Sequence, residues 1–375
     1  MRALTVVGAR PQFVKLAPVS RAMADLARDD GATIEDIIVH TGQHYDPGMS
    51  DVFFDELEIP RPAIDLGVGS GAHGVQTARM LAALEQAMLD HQPDIVVIYG
   101  DTNSTMAGAI AAAKLNIPIA HIEAGLRSFD RAMPEENNRV VADHLSDLLF
   151  APTETAIKNL AKENLSARTH LVGDVMLDAV RFNTTLARDK SSILADLDIV
   201  DNRFGVATLH RAANTDTDRL GSLLEALNRV SSDLLPIIFP AHPRTVARIE
   251  EICPDWCANS QLRLIDPVSY LDMLKLLDEA QLVLTDSGGL QKEALFLGAP
   301  CVTLRDETEW PETISAGGNI LAGADPDKIA GAAASQIDGR KQDGGKHSNT
   351  PFGDGHAAQK IVSEMMNFLH DQCRN

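Results

Sequence analysis

The chain has 375 residues, 45% hydrophobic and 23% charged, with a net charge of −20 at neutral pH. That length holds two ordinary cores more readily than one, and that apolar content excludes global disorder. A surface this acidic repels nucleic-acid phosphates and anionic lipid, and no run of about eighteen uninterrupted apolar residues offers a membrane span.

The opening residues carry one arginine and a short apolar run, without the apolar core and cleavage site of a signal peptide, so a cytoplasmic protein is expected. Cys253, Cys257, Cys301 and Cys373 are too few for a disulfide framework and lack the paired spacing of a zinc site. Free thiols and no bound metal are the expectation.

In chain order, residues 3–7 read as a buried strand running into Gly8-Ala9-Arg10-Pro11, and residues 14–26 as a helix. Strands follow at 34–41, 94–99, 117–122 and 148–151, with helices at 76–90, 105–115, 137–145 and 154–163. Short continuous apolar runs are strands buried on both faces, and the strand-helix alternation predicts a doubly wound parallel sheet. The rhythm restarts near Val172-Gly173-Asp174, read as the linker. Strands are then predicted at 204–209, 237–240, 262–265, 282–285 and 301–304, with helices at 218–230, 270–280 and 289–297. Residues 338–355 are rich in Gly, Asp and Lys and read as an exposed loop, and 356–370 as a last amphipathic helix. The organisation expected is therefore a first α/β domain over 1–172, a second over 173–355, and a C-terminal helix over 356–375 that packs back on the first.

In open α/β sheets ligands sit beyond the carboxyl ends of the strands, so the segments there carry the candidate chemistry. Thr285-Asp286-Ser287-Gly288-Gly289 follows a strand and opens a helix. Its glycines and the helix start suit a phosphate, and Glu293, one turn on, suits ribose hydroxyls. Gly8-Ala9-Arg10-Pro11 is no G-x-G-x-x-G fingerprint, but Arg10 offers a guanidinium fork to a phosphate, with Lys15 one turn further. Asp101 and Glu123 directly follow strands, where an unpaired acid is costly and a tuned one suits proton transfer. Glu135 and Glu136 open a helix. His210-Arg211 and His242-Pro243-Arg244 place an imidazole and a guanidinium after equivalent strands. With Arg127 and Arg139, these basic groups concentrate positive charge in loops of an otherwise acidic chain, whereas Arg131, in the same kind of loop, is read as pairing with surface acids.

The stretches GARPQFVKLAPV, TGQHYD, YGDTNST, HIEAGLRS, MPEENNR, GDVMLDA, TLHR, HPRT, TDSGGLQKEA and LRDETEWPE, in this order and over most of the chain, resemble the non-hydrolysing UDP-N-acetylglucosamine 2-epimerase family. The resemblance implies an α/β fold of two Rossmann-like doubly wound domains facing a cleft, of the type called GT-B. It implies a homodimer acting on a UDP-linked amino sugar without cofactor or metal. The implied reaction removes the carbon 2 proton while UDP leaves carbon 1, then returns UDP as a proton arrives on the opposite face. Asp101, Glu123, Glu135 and His210 match the family's catalytic residues. Arg10, Lys15, Arg139, Met273, Ser287, Gly288, Gly289 and Glu293 fall to substrate and UDP binding. Gln43, His44, Glu136, Arg211 and His242 match a second site at which some members bind UDP-GlcNAc as an activator. The chain departs from many members in Ala212-Ala213-Asn214 and in Trp310, which replaces an arginine. GARPQF, GGLQKEA and RDETEW are closer to a sibling branch that epimerises UDP-2,3-diacetamido-2,3-dideoxyglucuronate, so both sugars stay open. A GT-B glycosyltransferase and a non-catalytic sugar-nucleotide sensor are the other classes that fit such motifs.

Overall fold

The computed structural model describes residues 1–29, 31, 33–43, 54, 56–199, 203–216, 218–343, 351–372 and 374, with the backbone alone for residues 10, 29 and 340–343. They form two units, Met1–Ala179 with Pro351–Asn375, and Val180–Thr350. The first contains β1 Arg2–Val7, β2 Glu35–His40, β3 Ile64–Asp65, β4 Ile95–Tyr99, β5 Ile119–Ile122, β6 Leu148–Ala151 and β7 Thr169–Leu171. They make one parallel sheet in the order β3-β2-β1-β4-β5-β6-β7. The second contains β8 Gly205–Thr208, β9 Ile237–Pro240, β10 Leu262–Ile265, β11 Leu282–Thr285, β12 Cys301–Thr303 and β13 Asn319–Leu321. Its order is β10-β9-β8-β11-β12-β13, also parallel throughout.

Each sheet is doubly wound, as its apolar runs require: β4 reads Ile-Val-Val-Ile-Tyr and is buried along its whole length. In the first unit Leu4, Val6, Val96 and Ile98 pack on Met80, Leu84 and Met88 of helix His73–His91 and on Ala107 and Ala111 of helix Asn103–Lys114. In the second, Leu220, Leu223 and Leu227 of helix Arg219–Asp233 meet Phe239 and Leu284. Register decides what comes together at the carboxyl edges. Val6 lies opposite Ile98, and Tyr99 opposite Ile122, so the exits of β1, β4 and β5 are neighbours. Thr208 lies opposite Thr285, so the segments of His210 and Ser287 are neighbours in the second unit.

Several elements differ from the sequence expectation. The chain passes between units inside helix Val175–Lys190, at Ala179, rather than at 172/173, and returns at Pro351 rather than at 356. The reason is local. Phe352 is fully buried, its carbonyl accepts from Asp174 N at 2.8 Å, and Ala358 N donates to Asp178 Oδ1 at 2.9 Å. A Cβ on Gly173, whose φ is +95°, would lie 2.8 Å from that same carbonyl, so only glycine fits. Helix Ala357–Gln372 packs along helix Arg10–Asp29. Residues 338–355 are not one exposed loop: helix Pro326–Asp343, seated by Ile329 and Ala333, occupies the first part, and 344–350 lie outside the described residues. Among the described residues no helix is long and apolar enough to cross a membrane.

Candidate active site

At the carboxyl edge of the first sheet Asp101, Glu123 and Glu136 are each paired with a cation. Asp101, after β4, accepts through Oδ2 from Arg139 Nε at 3.0 Å and Nη2 at 2.6 Å. Arg139 also donates to Glu136 Oε2 at 3.0 Å. Burial works against the guanidinium's charge, but Asp101 and Glu136 outweigh it and raise its pKa. Glu136 is buried at the first turn of helix Pro134–Leu145 and accepts from the backbone N–H of Ser128 and Phe129 as well. Despite burial, those N–H groups and Arg139 lower its pKa. Glu123, after β5, forms an ion pair with Lys15, their side chains only 6% and 12% exposed. Glu123 has φ +71°, a backbone state that costs roughly 1–3 kcal/mol in a non-glycine residue and persists only where its surroundings enforce it. Gly100, at φ +61°, leaves room for this pair: a Cβ there would sit 3.2 Å from Glu123 Oε2 and 3.3 Å from Lys15 Nζ.

Two further tethers hold this edge. Gln12 Oε1 accepts from Gly8 N at 2.8 Å and Ala9 N at 3.1 Å, while its Nε2 donates to Tyr99 O at 2.8 Å. That joins the exit of β1 to the exit of β4. His121, on β5, and Asp143 are fully buried and hydrogen-bonded at 2.7 Å. Arg127 bridges Asp143, at 2.7 Å, and Glu163, at 2.8 and 2.7 Å. Burial opposes the charge of Asp143, but His121 and Arg127 prevail and hold its carboxyl below the usual range. Arg127 is thus committed inside the fold and does not join the cations available to an anionic ligand.

In the second unit one buried acid organises the loop after β8. Asp286 Oδ2 accepts from Arg211 N at 3.0 Å and Asn214 Nδ2 at 3.1 Å, and Oδ1 from His210 N at 3.2 Å. The His210 side chain is 53% exposed, with Nδ1 at 3.2 Å from Asp286 Oδ1. Ser287 caps helix Gly288–Phe296, its hydroxyl accepting from Leu290 N at 3.5 Å. The first-turn N–H groups lack intrahelical acceptors, and the helix dipole favours an anion there. Glu293 is buried one turn in and accepts from the Tyr270 hydroxyl at 3.3 Å. Met273, on helix Tyr270–Glu279, is partly buried against the apolar cluster of Leu276 and Leu277. Trp310 is buried with Lys292 Nζ 3.7 Å from its ring centroid, a cation–π contact.

The structure therefore brings Lys15, Asp101, Glu123 and Arg139 to one edge, and His210, Ser287, Gly288, Gly289 and Glu293 to another. Asp101 and Glu123 are paired, with Arg139 and Lys15, as acids that follow buried strands need to be. Lys15 is neither on a solvated helix face nor free, since it meets Glu123. Arg10 opens its helix, and its side chain is outside the described atoms. Glu135 is exposed at the start of helix Pro134–Leu145. Of the effector set, Gln43 Oε1 accepts from Ser104 N at 3.1 Å and Ser104 Oγ at 2.7 Å. Arg211 pairs with Glu309 at 2.9 Å, and His242 caps helix Pro243–Ile252. His44 lies outside the described residues. Sequence reasoning passed over Gln12, Asp143 and Asp286 as site-builders. Asp286 alone had a signal, as an acid directly after a buried strand.

A family model described as UDP-N-acetylglucosamine 2-epimerase matches residues 26–366. A UDP-N-acetylglucosamine 2-epimerase homolog of Methanococcus maripaludis is 48% identical, over 98% of this chain and 100% of its own. The UDP-2,3-diacetamido-2,3-dideoxy-D-glucuronate 2-epimerase of Pseudomonas aeruginosa is 46% identical, over 96% of this chain and 98% of its own. The crystal structure of Methanocaldococcus jannaschii UDP-GlcNAc 2-epimerase in complex with UDP-GlcNAc and UDP matches at a TM-score of 0.84 and 41% identity, covering 98% of this chain and 100% of that one. With two doubly wound parallel sheets and these matches along nearly its whole length, the chain belongs to the UDP-N-acetylglucosamine 2-epimerase family.

Proposed function

We propose that the protein is a non-hydrolysing UDP-amino-sugar 2-epimerase that interconverts UDP-GlcNAc and UDP-ManNAc by elimination and re-addition of UDP. The observation that carries this reading is the pair of acids, Asp101 and Glu123, each held by its own cation at the ends of adjacent strands. Inverting carbon 2 needs one group to take the proton from one face and another to deliver it to the other. Asp101, Glu123 and Glu135 supply these groups. As the carbon 2–hydrogen bond breaks, the electron pair forms the ring double bond of 2-acetamidoglucal and the carbon 1–oxygen bond to UDP breaks. The departing diphosphate is met by Arg10, by the start of helix Gly288–Phe296 with Ser287, Gly288 and Gly289, and by His210, which donates from its imidazole. Arg139 and Met273 complete the substrate contacts, and Glu293 accepts from the ribose hydroxyls. Lys15 pairs with Glu123 rather than binding phosphate itself. The bonds then re-form in reverse with the proton on the opposite face.

The test is incubation with UDP-GlcNAc alone in deuterated water, followed by NMR. UDP-ManNAc with deuterium at carbon 2 supports epimerisation, free ManNAc indicates hydrolysis, and no exchange without an added acceptor indicates a glycosyltransferase. A second reading of the substrate has its own support in the 46% identity to the P. aeruginosa diacetamidoglucuronate epimerase. Adding that sugar to the panel decides between the two by kcat/KM. Gln43, His44, Glu136, Arg211 and His242 are read as an effector site for a second UDP-GlcNAc, to which a sigmoidal dependence of rate on substrate would testify and a hyperbolic one would not. Light scattering tests the homodimer, and cell fractionation the cytoplasmic location.

A further inference from the structure

The proposed acid–base groups follow β4 and β5, which run side by side with Ile98 opposite His121 and Tyr99 opposite Ile122. What ties the two exits together is His121 on β5 and, behind it, an acid on neither strand. Asp143, on helix Pro134–Leu145, is fully buried. Its Oδ1 faces His121 Nδ1 at 2.7 Å, and its Oδ2 accepts from Gly125 N at 3.1 Å and pairs with Arg127 Nη1 at 2.7 Å. The other nitrogen of His121, Nε2, lies 2.8 Å from the carbonyl of Gly100. A carbonyl oxygen only accepts, so Nε2 donates, and an ionised Asp143 makes Nδ1 donate as well. The ring is thereby fixed at both ends. Gly100, Glu123 and Gly125 all have positive φ, at +61°, +71° and +84°.

We infer that Asp143 is a positioning residue for both carboxylates of the epimerase site. Through His121 it fixes the Gly100–Asp101 peptide, and through the Gly125 N–H it holds the turn that keeps Glu123 in its strained backbone state. The inference rests on the function proposed above. Stabilisation alone is the weaker explanation, because a buried ion pair is poor evidence for stability and an apolar cluster of equal volume often serves as well. The backbone bonds of this network end at Gly100, Gly125 and Leu126, beside the two acids and not elsewhere in the core. A residue acting this way sets the rate of proton transfer without touching the nucleotide, since a misplacement of about 1 Å costs on the order of 10²-fold.

The experiment compares wild type with Asp143→Asn for turnover of UDP-GlcNAc and of the diacetamido uronate, UDP binding by calorimetry, and 15N NMR of the histidine rings. Asp143→Asn should lose about 10²-fold in kcat while KM and the Kd for UDP stay within about twofold. In wild type the His121 ring should show protons on both nitrogens, and in the variant on one. A variant with lowered Tm, altered His121 signals and unchanged kcat would overturn the inference in favour of plain stabilisation. If the variant fails to fold, seen as loss of UDP binding, His121→Gln carries the test. Its amide still reaches toward Gly100 but no longer couples to Asp143, so roughly a tenfold fall in kcat is expected, and a wild-type kcat refutes the role. A wild type inactive on both sugars would sink the epimerase reading itself, whereas equal activity of wild type and variant sinks only the role of Asp143.

Discussion

The two sheets end in edges that bury carboxylates in opposite ways. At the first, each buried or half-buried acid meets a positive charge: Lys15 for Glu123, Arg139 for Asp101 and Glu136, and Arg127 with His121 for Asp143. At the second, the one fully buried acid, Asp286, is satisfied mainly by the backbone N–H groups of His210 and Arg211 and by Asn214. Charge-assisted pairs drawn from several helices fix positions, whereas a loop wrapped on one acid leaves its imidazole tip exposed. His210 accordingly keeps 53% of its side chain exposed. The function proposed above assigns proton transfer to the first edge and the anion to the second.

That contrast breaks first under substitution of the acids. Asp101→Asn should lower kcat by about 10³-fold, within the range for a general acid–base group, with UDP affinity unchanged. Glu293→Gln should do the reverse, weakening UDP several-fold while kcat at saturation falls far less. Calorimetry with UDP beside steady-state kinetics reads both. If Asp101→Asn weakened UDP and left kcat intact, the division of labour would be wrong.

Glycines sharpen the same contrast at a smaller scale. A Cβ on Gly125, whose φ is +84°, would lie 2.6 Å from the backbone carbonyl of Ala156, which cannot yield cheaply. Gly125→Ala should therefore cost roughly 3 kcal/mol in urea unfolding. A Cβ on Gly288 would lie 2.3 Å from Glu309 Oε1, the tip of a flexible side chain. Gly288→Ala should cost under about 1 kcal/mol in stability, yet weaken UDP by about tenfold because it crowds the helix start. Equal stability losses for the two would remove the distinction between a locked edge and an open one.

The apolar runs made the central strands legible, because β4, β8 and β1 beyond Arg2 are buried throughout and carry no charged residue there. Of the edge strands, β10 was legible at its observed bounds, but β3, β7 and β13 were not. β3 is two residues long, and β7, Thr-His-Leu, is polar and not buried. Helix Val175–Lys190 hid because polar Asp178, Asn183 and Thr184 lie on its buried side, which blurs the apolar stripe. Helix Pro326–Asp343 hid because alanine and glycine carry little pattern. For the site, acids next to strands were readable as motifs, but their partners were not. Asp143 is an ordinary helical acid until the fold sets it against His121, 22 residues away in sequence.

The smallest expected effect isolates what a cation does for a buried acid. Asp36 sits on β2 of the sheet against which the helix of Asp143 packs, but its Oδ1 takes the Thr5 hydroxyl at 2.7 Å rather than a cation, and its Oδ2 and the Tyr99 hydroxyl are buried without a hydrogen bond. Burial raises the Asp36 pKa, with the Thr5 and Ser20 hydroxyls opposing, whereas His121 and Arg127 take Asp143 the other way. The signs on stability follow. Asp143 and Glu136, both lowered, contribute stability present above the unfolded carboxylate pKa of about 4 and lost as pH falls through their folded values. Asp36, raised, contributes stability present below about 4 and lost as pH rises through its folded value. Asp36→Asn removes that loss, so its Tm relative to wild type should rise with pH above about 4 by a few degrees, on the order of 2 °C. Asp143→Asn should instead flatten the acid limb. Melting curves of the two variants across that range check both slopes, and parallel curves would mean that the cations beside Asp143 contribute nothing that burial alone does not.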